Sequence, residues 1–216
     1  MPATEFPVLT FQECRVLGSL VEKSFATPEY YPMTVHALVN ACNQKSNREP
    51  TVNLTETDVN SILVSLNDKR LAAPVLSTGS RVFRYRHLCN ERWALPPEDL
   101  VILMLLVLRG PQTPGELNSR SGSMKEIGQL DRVLTGLRDL SEGEHPMVVQ
   151  LPKLVGQKEA RWMHLLMGAE AASSMAEPGS VVAADRVVEL EKQVTDLRAE
   201  LDALKAEFQS FRASFE

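Results

Sequence analysis

The feature that most constrains the fold is a change of hydrophobic period, from 3.6 to 2, that occurs twice in the same order. Residues 10–23 (TFQECRVLGSLVEK) put Phe11, Val16, Leu17, Leu20 and Val21 on one helical face behind Thr10, a residue suited to an N-cap. A second short helix is expected from Thr34 to Cys42, with Val35, Leu38 and Val39 inward. A third opens at Thr55, with Asp58 at capping-box spacing, and carries Val59, Ile62, Leu63 and Leu66 at helical period. The segments Leu71 to Ser77 and Val82 to Leu88 then alternate as strands around Thr78, Gly79 and Ser80, which predicts a hairpin.

The order recurs downstream. Pro96 to Arg109, Thr113 to Arg120 and Ile127 to Leu140 read as helices, and Met147 to Leu154 with Arg161 to Leu166 as a second hairpin around VGQKEA. Leu130, Val133, Leu134 and Leu137 match the apolar set of the first third helix at identical spacing, so a tandem repeat is the economical explanation. Three helices followed by a hairpin is the order of a winged helix, in which the third helix is the usual recognition element and the hairpin is the wing. The expected fold class is mainly α with small β-hairpins (α+β), as two tandem winged-helix domains over residues 1–92 and 93–167. Helix 99–109 (DLVILMLLVLR) is apolar almost all round. Such a helix either buries a face against the other domain or another chain, or is simply the central helix of its own small domain.

Residues 168–184, small and polar and interrupted by Pro178 and Gly179, read as a flexible linker. From there to the end, residues 185–216 carry apolar side chains at Val187, Leu190, Val194, Leu197, Leu201, Leu204, Phe208, Phe211 and Phe215, in alternating steps of three and four. Valine at the first two a positions and leucine at the first three d positions favour two parallel strands, hence a homodimer. The flanking residues agree: Arg186 faces Glu191, Glu200 faces Lys205 and Glu207 faces Arg212 across an in-register pair, while Gln193 meets Arg198. A lone amphipathic helix folded back on its own domain is the competing reading, but a strict a/d seam is narrower than a core-facing stripe.

Composition excludes more than it assigns. The longest apolar run, Leu100 to Leu108, falls well short of the roughly 20 residues needed to cross a bilayer, so no membrane partner is expected. The N-terminal residues carry no positive charge ahead of an apolar stretch, which argues against a secretory signal. Cys14, Cys42 and Cys89 are odd in number and without a CxxC, so neither a disulfide framework nor a zinc cluster is expected, and a reducing cytoplasm fits best. The net charge of −5 is unevenly distributed: residues 1–92 hold ten Lys and Arg against nine Asp and Glu, and residues 185–216 hold five against eight. That balance lacks the strong basic excess that makes nucleic-acid binding an obvious reading.

The densest polar signal is NACNQKSNREPTVNL, residues 40–54, between the second and third helices. Asn43, Gln44, Lys45, Asn47 and Arg48 can donate to phosphates, and the amides and arginine can also read base edges. The plainer alternative is that the amides hold the loop by side-chain to backbone bonds, with Lys45 and Arg48 solvated or paired with Glu49. The first wing adds Arg81, Arg84 and Arg86, which can grip a phosphate backbone or form an ordinary solvated strand face. Against DNA reading stands the first third helix, whose outward residues include Glu56, Asp58 and Asp68. No GxSxG elbow, phosphate-binding Gly-rich loop or HExxH is present, and His36, His87, His145 and His164 are scattered, so the reading is non-enzymatic with no cofactor or metal.

The loop NACNQKSNREPTVNL, together with LGSLVEKSFATPEYYP, LRGPQTPGELNSRSG and RWMHLL, resembles the YceH family of uncharacterised bacterial proteins over nearly the whole chain. The resemblance implies a tandem winged-helix fold with a C-terminal coiled coil, and no activity, cofactor or catalytic residue. The functional expectation is a cytoplasmic homodimer that binds duplex DNA through Asn43, Gln44, Lys45, Asn47, Arg48, Arg81, Arg84 and Arg86. The alternative is an adaptor whose winged-helix surfaces meet another protein.

Overall fold

The computed structural model describes residues 7–76, 79, 82–153 and 156–171. The heptads from Val187 onward, nearly all of the linker, and Arg81 lie outside them. All ten helical or strand segments expected for the two repeats have a counterpart at or close to the expected place. Thr10 caps α1 (Phe11–Ala26) in a reciprocal capping box, its backbone N–H bonded to Glu13 Oε2 at 2.7 Å. The carboxylate of Glu13 also accepts from Ser65 and from Lys69 Nζ, which ties the start of α1 to the third helix of the same repeat. Burial pushes that carboxyl up, but the Lys69 bond and the Thr10 and Ser65 bonds outweigh it and hold it below the usual range.

Thr34 caps α2 (Val35–Cys42), and Thr55 caps α3 (Glu56–Asp68) with Asp58 completing the box anticipated from spacing. Strands β1 (Ala72–Val75) and β2 (Arg84–His87) pair antiparallel, with Ala72 opposite His87. They are shorter than the alternation suggested. A 3₁₀ turn at Pro28–Tyr30 and a short helix, α4 (Cys89–Trp93), carry no period long enough to read in the sequence. Because α4 starts at Cys89, His87 and Cys89 do not share a strand face. Instead the Cys89 backbone N–H donates to His87 Nδ1 at 3.3 Å.

The second repeat follows as α5 (Pro97–Arg109), α6 (Pro114–Ser121), α7 (Leu130–Ser141), β3 (Val148–Gln150) and β4 (Trp162–His164). Its correspondence with the first goes deeper than order. In each repeat one residue of the connection between the first two helices pairs with the second strand of the hairpin. Met33 and Tyr85 exchange backbone hydrogen bonds of 3.0 and 2.7 Å, and Gln112 and Trp162 exchange bonds of 3.1 and 2.8 Å. Each second strand then ends in a buried histidine, His87 opposite Ala72 and His164 opposite Val148.

Two expectations for α7 are corrected. The helix begins at Leu130 rather than Ile127, because Gly128 takes a positive φ of 74° and breaks the helical path. Its inward face is Val133, Gly136, Leu137 and Leu140, so Leu130 and Leu134 point out, each 45% exposed. The reason lies in α5: a Cβ added at Gly136 would stand 2.7 Å from Ile102 Cδ1 and 2.5 Å from Asp99 Oδ1. The glycine lets the two helices approach at that point and thereby fixes which side of α7 faces inward.

One hydrophobic core runs through both repeats. Its centre is α5, whose residues Leu100 to Leu106 are all 1% exposed or less. No face of this helix is left for another chain, because α1 covers one side while α6, α7 and β4 cover the rest. Gly18 of α1 allows the crossing, since a Cβ there would meet Leu108 Cδ2 at 2.9 Å.

Candidate functional site

The loop after α2 is closed by its own amide. Asn43 accepts from the Leu54 backbone N–H and donates Nδ2 to the Leu54 carbonyl, both at 2.8 Å, so the residues between form a ring with a fixed base. Asn43 is therefore engaged within the protein. The ring docks on the second repeat through the Glu49 N–H, which donates to the Leu108 carbonyl at 2.9 Å.

Arg48 departs furthest from its expected role as a phosphate ligand. Its side chain is 0% exposed and ion-paired with Glu22 of α1. It also donates through Nε (3.1 Å) and Nη2 (2.9 Å) to the Ala41 carbonyl at the end of α2, and through Nη1 (2.9 Å) to the Asn47 carbonyl. It caps a helix C-terminus from inside. Neither solvent nor the neighbouring Glu49 is its partner, because the loop turns the guanidinium back toward α1. Lys45 and Asn47 stay exposed, and Gln44 is half-buried.

The first hairpin, the expected wing, attaches elsewhere. Arg84 is exposed and donates to the Pro32 carbonyl at 3.0 Å, while Arg86 pairs with Glu91 of α4 at 2.5 Å. That Arg86 contact holds the Glu91 carboxyl below its ordinary range. Loop and wing are thus fastened to different parts of the molecule, the loop to α1 and α5 and the wing to α4 and the segment before α2.

What the loop does meet is a set of bases from the second repeat. A cleft of about 460 Å³ is lined by Lys45, Asn47, Arg48, Glu49, Arg109, Pro111, Glu116, Arg120 and Arg161. Arg161 forks onto Glu116 with bonds of 2.9 and 3.2 Å and donates to the Pro111 carbonyl at 2.7 Å. Arg120 donates to Gln112 Oε1 at 2.9 Å, and the buried Gln112 amide is itself fixed by the Leu105 and Gly110 carbonyls. Arg109, at the end of α5, donates to Ser123 Oγ at 3.1 Å. Burial raises the Glu116 carboxyl, but the Thr113 backbone and Arg161 bring it below its usual value.

Five bases against two carboxylates give this lining an excess of positive charge, with guanidiniums already oriented by internal partners. Arg109, Arg120 and Arg161 were missed in the sequence because the fold, not the chain, brings them beside Lys45. A signal was nevertheless present: all three lie in or beside LRGPQTPGELNSRSG and RWMHLL, two of the segments that carry the family resemblance. A second, smaller concavity of about 370 Å³ lies between Pro114, Gly115, Leu130, Leu134, Gln150, Glu159 and Ala160. No cluster of three or more metal-ligating side chains occurs among the described residues, and none of their helices is long and apolar enough to cross a membrane.

A family model described as "Protein of unknown function, DUF480" matches residues 9–157. A UPF0502 protein of Opitutus terrae is 44% identical over 189 residues, covering 86% of this chain and 81% of that protein. One from Azoarcus sp. is 46% identical over 185 residues, covering 83% and 82% respectively, and one from Geobacter metallireducens is 48% identical over 174 residues, covering 79% of each. With a family model that spans both helical repeats and relatives matched along most of their length, the chain belongs to the DUF480 (UPF0502) family of bacterial proteins, the YceH-like group that the loop motif resembles.

Proposed function

We propose that this chain is a non-enzymatic, cytoplasmic pair of tandem winged helices, dimerised through Val187 to Phe211, that binds duplex DNA by its phosphates. The observation that carries the winged-helix reading is the backbone bridge that each repeat adds to its hairpin, Met33 against Tyr85 and Gln112 against Trp162. In each repeat a single bridge of this kind extends a two-stranded hairpin that lies beside three helices, which supports the winged-helix reading. The step from fold to DNA rests on analogy and on exposed bases.

Lys45 and Arg84 are the exposed cations of loop and wing, with Asn47 and Gln44 as further donors. The outward side of α3, with Glu56 and Asp68 exposed, repels phosphate. Contacts to the backbone therefore dominate over base reading, and binding should be weakly sequence-specific. Anisotropy of a labelled 20-base-pair duplex tests this. The expected result is about micromolar affinity at low salt that falls steeply as salt rises. Absence of salt-dependent binding at low ionic strength overturns the reading.

A second reading, a protein-interaction adaptor, is favoured by Leu130 and Leu134, exposed on α7 beside Pro114 and Ala160. On this reading, Leu134→Asp abolishes capture of a reproducible protein partner while leaving DNA binding intact.

A further inference from the structure

Among the described residues, the cleft at the seam of the repeats holds five bases, answered by Glu22 from outside the lining and by Glu116 and Glu49 within it, so that an excess of positive charge is left. Arg48 is answered by Glu22, and Arg161 by Glu116, which also stands 3.7 Å from Arg120. Arg109 and Lys45 have no carboxylate ion pair among the described residues. Arg109 is half-buried, and its single side-chain partner there is the neutral hydroxyl of Ser123. Burial, and then the like charge of Arg120, lower its pKa from the usual arginine value, as expected where cations crowd without enough counter-charge.

The crowding continues inward. Arg15 of α1 is 1% exposed, and its Nε and Nη1 have no hydrogen-bond partner among the described residues, with Nη2 donating to the Pro50 carbonyl and the guanidinium over the Phe11 ring. Burial first, and the Arg48 charge second, push its pKa down to about 10. The charge of Arg15 thus acts on Arg48 of the lining, with Glu49 opposing it. No aromatic side chain lines the cleft, so the recognition it offers is electrostatic and directional rather than by stacking.

We infer that this cleft is a binding site for a small phosphorylated anion, of pyrophosphate or nucleotide-phosphate size, held between Lys45 of the first repeat and Arg109, Arg120 and Arg161 of the second. The volume falls within the range of small-ligand sites, and bases from three separate chain segments converge on it. Glu116 orients Arg161 and Arg120 in advance, and Lys45, exposed at the rim, closes over the ligand. Because the lining spans both repeats, an anion there stabilises the seam as a whole. This inference shares Lys45 with the DNA reading but rests on Arg109, Arg120 and Arg161, which that reading does not use, so the two can fail separately.

Calorimetric titration of the full-length protein with inorganic pyrophosphate, with inorganic phosphate in parallel, tests it. Saturable binding of pyrophosphate, tighter than that of phosphate, is expected. Each of Lys45→Ala and Arg109→Gln is expected to weaken it about tenfold through loss of one charge-assisted contact. Lys45 is exposed, so the first variant keeps its fold and serves as the decisive one if Arg109→Gln melts early. Absence of saturation, or unchanged binding in Lys45→Ala, overturns the inference. So does full displacement of pyrophosphate by the 20-base-pair duplex, which would assign the cleft to the DNA surface. A cleft that binds pyrophosphate in a protein that fails to bind DNA leaves this inference standing and removes only the other.

Discussion

The third helices of the two repeats share the spacing of their apolar residues and differ in what they do with it. In α3, Val59, Ile62, Leu63 and Leu66 are all buried. In α7 the residues at the same spacing divide, Val133 and Leu137 going in and Leu130 and Leu134 going out. At the position of Ser65, which bonds to Glu13, the second repeat has Gly136, which lies against Ile102. Period identifies a face, but the neighbours choose how that face is turned. The first repeat keeps its third helix for the core, while the second presents part of its own to the outside.

The repeats also differ in how they use ions. The first holds its loop to α1 with the buried Arg48–Glu22 pair, whereas the second, which buries Asp99 against Arg132, leaves the Arg161–Glu116 pair of the cleft at half-exposed positions. The largest expected effect follows. Arg48→Met leaves Glu22 buried without its partner and the end of α2 without its cap, costing about 3–5 kcal/mol by urea denaturation. Arg161→Met should cost about 1 kcal/mol or less. Equal losses would erase the distinction.

Core truncation probes the third helices directly. Leu63→Ala removes a side chain that is 1% exposed and should cost about 3 kcal/mol. Leu134→Ala, at the matching spacing, should change stability by about 0.5 kcal/mol or less. A large loss at Leu134 would mean that α7 is turned as the spacing alone suggested.

The two strand-end histidines form a matched pair that differs in support. Burial lowers the pKa of each to about 4. His87 Nε2 lies 3.1 Å from Ser24 Oγ, whereas His164 is fully enclosed with Nδ1 unbonded. Both are neutral in the fold and protonate near pH 6.5 when unfolded, so the unfolded chain binds more protons between those values. Stability is therefore full above about pH 6.5 and declines as pH falls toward 4. By pH 5 the loss should be on the order of 2 kcal/mol per histidine, read from urea midpoints. Glu13 and Glu116 have lowered pKa values, so their contributions persist through that window and are lost below it. His164→Leu should remove about half of the pH dependence; an unchanged slope would contradict burial as the cause.

Much of this framework was legible because it depends on local chemistry. Thr10, Thr34 and Thr55 marked helix starts through capping, and the switch from period 3.6 to 2 marked the hairpins. The extreme apolarity of α5 left open whether a surface beyond its own repeat covers it, and α1 supplies one. What could not be read depends on contacts between distant segments. Glu22, the partner of Arg48, is on another helix, and sequence proximity pointed instead to Glu49. The roll of α7 is set by Gly136 against Ile102, and the cleft by a loop meeting Arg109, Arg120 and Arg161. Neither leaves a periodic trace.

If the two third helices are not the reading elements, DNA binding should be indifferent to them and sensitive to loop and wing. The most direct measurement is the salt dependence of duplex binding for two variants. The combination of Lys45→Ala, Arg84→Ala and Arg86→Ala should weaken binding about tenfold or more and flatten the salt dependence by up to about three phosphate contacts. The combination of Asn60→Ala and Ser61→Ala, on the exposed side of α3, should leave both affinity and slope unchanged. The reverse pattern would contradict the account and return α3 to the role of recognition helix.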